Sequence, residues 1–443
     1  MQLKDSNGNN LTASGGSVLL NTTLGTIGTV TDRQDGTYTA TLTAATTAGT
    51  AIITATLNDA AFAGTATVEM TSVVAEVFDE YRSEVRQIIL AEAERALHST
   101  LNVNQRMVRD ARERFIASQG QTAHCSQLID DHPDITLAEL EGCDNGEVTR
   151  NDVPFDVTGT AGFINGVLST TGSFFEQRGN VAGTKRRLFF GEFDIQHDLT
   201  TGSSTATLTA RLAWEHTVSE RAMIGYFIGG EFAQSDIRSI TFAGDNRRYG
   251  ATIGGYAVYQ LRENLYADGF VTLGMGRNDL DMANGVLSLK GSYTTRTATI
   301  GGSLNGVVDY GHFELRPELS VSYGKTWIGT VGFTGWAYGL VDDMLSLNVG
   351  SISLARIMVR PEFRIPLDEG RRVSGGSVVT FAPRAVCEIS RGLLSRTTCG
   401  VGAELGLKAR SADGRTNVDA GFSVDRVGKS TQTSVRLNVQ YRF

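Results

Sequence analysis

Val435-Arg436-Leu437-Asn438-Val439-Gln440-Tyr441-Arg442-Phe443 alternates apolar and polar residues without a break. Successive side chains of an extended strand point to opposite faces, so this segment has one greasy face and one polar face. The pattern recurs upstream. Leu208, Ala210, Leu212 and Trp214 alternate with Thr209, Arg211 and Glu215, and Ala298, Ile300, Leu304 and Val308 with Thr299, Ser303, Asn305 and Asp309. Val401, Ala403, Leu405 and Leu407 stand against Glu404 and Lys408, and Val418, Ala420, Phe422 and Val424 against Asn417, Asp419 and Asp425. Read this way, residues 186–443 hold twelve strands, many longer than the roughly 3–10 residues usual in globular domains.

An even strand number, with short connections at one end and long ones at the other, is the pattern of an antiparallel transmembrane β-barrel. Val218-Ser219-Glu220, Arg262-Glu263, Gly311 and Ala412-Asp413-Gly414 are short, with Asp368 to Gly376 the longer exception. Asp236 to Asn246, Asp281 to Lys290 and Gly329 to Asn348 are the long set, which would face outward from the cell. Pro317, Pro361 and Pro383 fall inside strands, where a closed ring offers no free edge, so a bulge or bend is expected there. Arg211, Glu215, Arg436 and Arg442 lie on the polar face and are expected to line the pore.

Composition agrees. Gly at 51 of 443 and only 6 Pro suit a β protein with many turns and close backbone approaches. The net charge of −8 leaves no basic footprint for nucleic acid. No window holds about 20 consecutive apolar residues, which excludes a spanning helix and says nothing against strands. The polar Asp5 to Asn10 follows Met1-Gln2-Leu3-Lys4 where a signal core would stand, so an exported chain would be a piece of a longer precursor.

Four segments follow: 1–72, 73–118, 119–185 and 186–443. The first has short Thr/Ala/Val runs (Ser17 to Leu20, Gly36 to Thr43, Gly49 to Thr56, Gly64 to Met70) between Gly and Asn/Asp turns, a β-sandwich rhythm. Residues 73–118 contain no Gly or Pro and repeat Val74, Val77, Phe78, Tyr81, Val85 and Ile88, then Leu97, Leu101, Val108, Ala111 and Phe115, at helical spacing. A break is expected at Ser99 to Asn104, and Arg106, Arg109, Arg112 and Arg114 suit either a solvated face or a polar pore. Residues 119–185 read as an irregular connector.

Lys4 to Asn10, Asp35-Gly36-Thr37-Tyr38-Thr39-Ala40-Thr41-Leu42-Thr43 and Ala48 to Ala55 resemble bacterial Ig-like domains of the invasin and intimin type. The resemblance implies a surface-exposed spacer or adhesin repeat. A barrel ending in an alternating run, preceded by a helix and such a module, resembles the translocator half of an autotransporter over residues 73–443. It implies a barrel in the outer membrane, with outer-membrane lipid around it, a helix threading its pore and an N-terminal passenger at the cell surface. Val439, Tyr441 and Phe443 are similar to the signal read by the barrel-insertion machinery. Twelve strands in one chain imply a monomeric barrel.

The chemistry is sparse. No Gly-x-Ser-x-Gly, His-Glu-x-x-His or Gly-x-x-x-x-Gly-Lys is present, no cofactor is called for, and no catalytic residue is assigned. Four cysteines fall as two neighbours in sequence, Cys125 with Cys143 and Cys387 with Cys399, all disulfide candidates with three connectivities open; Cys387 with Cys399 would staple one hairpin. His124 and His132 beside Cys125 and Cys143 match no usual zinc spacing. Asn102 and Asn104 are separated by Val103, a departure from the adjacent asparagines at which some autotransporters cleave their passenger. The expected function is export and display of the Ig-like passenger, for adhesion to a host or surface ligand. The rival is a porin-like barrel with a periplasmic Ig-like domain, and a helix outside the barrel would favour it.

Overall fold

The computed structural model describes residues 1–45, 47–131, 153–164, 167–179, 184–198, 203–239, 241–367, 377–392, 395–410, 416–427 and 430–441. The chain divides into two compact units. One is Met1–Glu84 with Ala283–Lys290 and Gly332–Ser346, and the other is Val85–Met282 with Gly291–Val331 and Leu347–Phe443.

Among its described residues the Ig-like segment has seven strands: β1 (Val18–Thr22), β2 (Thr26–Ile27), β3 (Thr31–Asp32), β4 (Tyr38–Thr39), β5 (Leu42–Thr43), β6 (Gly49–Leu57) and β7 (Ala60–Met70). β1, β6 and β7 form one antiparallel sheet, while β2 pairs with β5 and β3 with β4. Leu3, Val18 and Tyr38 make a small core, with Leu11, Leu20, Val30 and Leu57 against it. Buried tyrosine needs a partner for its hydroxyl. Tyr38 Oη donates to Gly16 O at 2.8 Å and accepts from Gly15 N–H at 3.0 Å, tying the core to the loop before β1.

Helix α1 (Val73–Asp131) follows at once. Ser72 caps it, its Oγ accepting from Ala75 N–H at 3.2 Å, and Glu76 complements the positive end of the helix in its first turn. At about 1.5 Å per residue its 59 residues span about 88 Å. The expected break at Ser99 to Asn104 does not occur. Thr100 Oγ1 bonds back to Ala96 O at 2.9 Å, and the Asn102 and Asn104 side chains bond outward to other elements rather than to their own backbone. The helix also runs past the expected end at 118, taking in Cys125.

The remaining strands are β8 (Val153–Ile164), β9 (Val167–Gly179), β10 (Lys185–Asp198), β11 (Ser204–Ser219), β12 (Ala222–Arg238), β13 (Ala243–Arg262), β14 (Leu265–Ala283) and β15 (Leu287–Gly306). After them come β16 (Val308–Asp309), β17 (Glu314–Ala337), β18 (Leu340–Pro366), β19 (Val378–Arg391), β20 (Ser395–Arg410), β21 (Thr416–Val427) and β22 (Ser430–Tyr441). Among the described residues they form a single antiparallel sheet of fifteen strands, one of which is the two-residue β16. Pairing of β15 with β17 and of β8 with β22 closes the ring. The fold class is the expected one: mainly β, with a β-rich N-terminal module, a long helix and a closed antiparallel barrel.

Two details correct the sequence reading. The barrel has fourteen long strands among the described residues rather than twelve, because β8 and β9 arise from the segment read as an irregular connector. Their parity is even, so the two ends of the ring keep their identities. The long connection read from Gly329 to Asn348 is mostly strand, since β17 and β18 meet at a tight turn on Tyr338 and Gly339. Both residues have positive φ, 51° and 78°, as a two-residue hairpin turn matched to strand twist requires.

Neither a bulge nor a register shift appears where β18 meets β19 at the prolines. The partners run to Val359↔Ala385, lapse, and resume in the same register at Phe363↔Phe381. That register sets Pro361 against Pro383, so two residues without an N–H share one gap in the ladder. Cys387 and Cys399 face each other across β19 and β20, Cα atoms 4.0 Å apart, and are disulfide-bonded. Cys143 and His132 lie outside the described residues, as does most of the acidic run beginning at Asp130.

Candidate functional site

Between Val85 and Gln119 the helix lies inside the ring, and its side chains reach strands on most sides. Arg106 pairs with Glu192 of β10 at 2.6 Å, and Arg95 donates to Thr205 of β11 at 3.1 Å. Glu92 accepts from Ser235 of β12 at 3.0 Å, and Gln119 donates to Gln260 of β13 at 3.1 Å. Asn104 Nδ2 donates to Thr272 of β14 at 3.1 Å and to Thr299 of β15 at 2.9 Å. Arg356 of β18 donates to Asn102 at 2.5 Å, and Ser390 of β19 to Glu94 at 2.6 Å. The helix approaches β17 closely at Gly324, where a Cβ would stand 2.6 Å from Leu97 Cδ1. A side chain at this position would have to push the end of Leu97 aside.

The densest part of the contact is ionic. Arg109 grips Glu318 of β17 in a fork, at 2.9 and 3.1 Å. Arg112, 6% exposed, reaches Asp268 of β14 at 2.7 Å and Glu318 at 3.4 Å. Arg114 makes a second fork with Glu215 of β11, at 2.6 and 3.2 Å. Glu215 is 1% exposed and also accepts from Tyr256 Oη at 2.9 Å and Arg186 Nη1 at 3.5 Å. Glu113 supplies the reverse polarity, accepting from Arg316 of β17 at 2.6 and 2.8 Å. Bidentate Arg–carboxylate geometry carries direction as well as energy, and burial makes each pair intolerant of losing one member. Beside this ladder a cavity of about 260 Å³ remains, walled by Arg106 and Asp110 of the helix and by Arg360, Glu362, Glu404 and Lys408 of the ring.

Of the residues expected to line the pore, Glu215 meets the helix as described. Arg211 is 5% exposed, with its guanidinium 4.6 Å from the Phe227 ring and 3.6 Å from Met107 Sδ. Arg436 lies on β22 with its backbone opposite Gly421 and Thr160; Arg442 is outside the described residues. Val439 and Tyr441 pair with Val418 and Thr416 of β21, and Phe443 is outside the described residues. Glu192, Asp268, Arg316 and Glu318 were missed. The alternation Glu314, Arg316, Glu318, Ser320, Ser322 against Leu315, Pro317, Leu319, Val321, Tyr323 is the signal that places three of the β17 charges inward.

In the first unit, the opening turns of the helix meet the tips of two hairpins. Phe78 stands 5.7 Å from Phe333, centroid to centroid, and Arg82 donates to Ser346 O at 3.1 Å. Val74, Phe78, Leu287, Leu289, Phe333 and Leu345 are all buried there. Among the described residues no group of His, Cys, Asp and Glu is arranged to hold a metal ion.

Residues 1–73 match the family model of invasin, domain 3, and residues 196–341 match that of the autotransporter beta-domain. Among solved structures the chain is similar to the translocator domain of the autotransporter NalP from Neisseria meningitidis, at 13% identity and a TM-score of 0.39 over 75% of this chain and 98% of that one. It is also similar to the beta domain of the Bordetella autotransporter BrkA, at 14% identity and a TM-score of 0.40 over 65% of this chain and 100% of that one. A search of curated proteins finds no match.

Proposed function

We propose that the C-terminal region is an outer-membrane translocator barrel of the autotransporter type and that the chain exports its N-terminal Ig-like module and displays it on the cell surface for adhesion. The observation that carries this reading is the helix inside the ring, held by ion pairs from several strands and continuous with the module through Ser72. A rival in which the module stays in the periplasm has no use for a helix that fills the pore. The role is physical rather than catalytic. Outward apolar side chains partition into lipid, the closed ladder leaves the backbone paired, and the helix occupies a polar pore once transport ends. Barrel-insertion machinery would read the strand that carries Val439 and Tyr441, and the displayed module would meet a host or surface ligand.

Protease shaving tests this. The chain is expressed behind a secretion signal with an epitope tag ahead of Gln2, and intact cells are treated while a periplasmic marker reports integrity. Loss of the tag with the marker preserved is the expected result. A tag that survives until the outer membrane is opened would sink display and leave a periplasmic module.

A further inference from the structure

We propose that the outer wall of the barrel binds the phosphorylated headgroups of outer-leaflet lipid through Arg247, Arg277, Arg296 and Lys325. The inference rests on the barrel spanning the membrane and goes beyond the export reading. Strands β12, β13, β14, β15 and β17 are consecutive neighbours in the ring. Their outward-facing residues are apolar and heavily exposed: Ile228 at 53%, Ile253 at 57%, Leu273 at 55%, Ile300 at 57% and Val321 at 51%. So much exposed aliphatic surface on one wall marks the face that meets lipid.

Toward the end of the ring that bears the long hairpins, this band gives way to cations. On β13 the outward residue after Tyr249 is Arg247, and on β14 the one after Met275 is Arg277. On β15 Arg296 succeeds Ala298, and on β17 Lys325 succeeds Tyr323, with its Nζ 5.2 Å from the centre of the Trp327 ring. One step further stand carboxylates, Asp245 and Asp279. The β12–β13 register displays the layering directly: Phe232↔Tyr249, then Gln234↔Arg247, then Asp236↔Asp245. At the opposite end the outward positions run out in Tyr259, Leu261, Leu304 and Val308, with Arg221 and Arg262 at the hairpin turns.

The chemistry of the basic layer fits a phosphate. Arg247 and Arg277 are exposed, at 56% and 69% of their side-chain surface. Each meets its neighbouring carboxylate through Nε, at 3.7 and 3.3 Å, so the two Nη groups remain for a bidentate phosphate contact. Trp327 beside Lys325 is the aromatic and cationic pairing expected at a membrane interface. The row is continuous with the lipid-facing surface, so the occupant is a lipid that carries its phosphate at the headgroup rather than a soluble anion.

The test uses the full chain in detergent, with lipid A bearing its two phosphates and the same lipid after phosphatase treatment, bound lipid being read by native mass spectrometry. The phosphorylated form is expected to bind about tenfold or more tightly than the dephosphorylated one. The variant R247Q/R277Q/R296Q/K325Q should lose that preference and keep its heat-modifiable mobility, and R277Q alone should lose part of it. Equal binding of the two lipids by the unaltered chain would overturn the proposal without recourse to any variant. Retention of the preference by the quadruple variant would do so too, as would displacement of the lipid by equimolar inorganic phosphate, which would reveal a free-anion site.

Discussion

Helix α1 is gripped in two chemically opposite ways. Its opening turns bury Val74 and Phe78, the latter beside Phe333, in the unit where Leu287, Leu289 and Leu345 are also buried, whereas thirty-odd residues on it offers Arg109, Arg112 and Arg114 to carboxylates. Apolar burial is non-directional and tolerates rotation or slip of the helix. Forked ion pairs tolerate neither, because each guanidinium needs its own carboxylate and a displaced one would be left charged and desolvated. The difference teaches that the ionic stretch sets the depth and rotation of the helix, while the apolar stretch adds adhesion without register.

The sharpest way to break that contrast is Glu215→Ala. It strips the counter-charge from Arg114 and Arg186 at a site 1% exposed, and should cost about 3–5 kcal/mol. Urea titration of the heat-modifiable folded form measures it; a loss under about 1 kcal/mol would mean the ion pairs do not hold the helix. Next comes Phe78→Ala, expected to cost about 3 kcal/mol locally as a large-to-small change in a packed cluster. Hydrogen exchange should then quicken over the first helical turns and stay slow around Asn104 to Ser118; uniform quickening along the helix would erase the distinction between the two stretches. Asn104→Ala should cost about 1–2 kcal/mol, since Thr272 and Thr299 both lose their buried donor. Thermal unfolding of the variant beside a Thr272→Val, Thr299→Val, Asn104→Leu triple variant, expected to recover part of the loss, decides whether the cost is orphaned hydroxyls or lost packing.

The smallest effect lies in the Ig-like segment. Hydrogen bonds hold three exposed carboxyls below the usual range: Asp32 chiefly through the Ser14 hydroxyl, Asp35 through the Thr37 hydroxyl and Asp5 through the Asn9 backbone N–H. A depressed folded-state pKa contributes stability that is present above the unfolded value, about 3.9, and is lost as pH falls through the folded one. The module should therefore weaken below about pH 4, and Asp32→Asn should flatten that slope. A melting temperature of the module that does not move between pH 5 and pH 3 would contradict this.

Legibility followed contrast. The strands of residues 186–443 could be read because lipid on one side and polar surface on the other force a period of two. β8 and β9 escaped because Thr158-Gly159-Thr160-Ala161-Gly162 and Ser169-Thr170-Thr171-Gly172-Ser173 put small residues on both faces and leave no apolar–polar contrast. The helix was cut short at Gln119-Gly120 because glycine disfavours a helix interior by about 1 kcal/mol, a local cost that the continuing helix overrides. At the site, the arginines of the helix could be seen, but not their partners. A solvated stripe and a stripe facing a polar wall have the same spacing.

By itself the sequence determined that an Ig-like module, a helix and an even-stranded antiparallel barrel follow one another, since each announces itself through local periodicity. Tertiary structure alone decided that the helix runs inside the ring, that Arg114 meets Glu215 and Arg109 meets Glu318, and that Pro361 faces Pro383. Those pairings join residues far apart in the chain, and which carboxylate meets which guanidinium depends on how the ring closes around the helix, a quantity that no local pattern encodes.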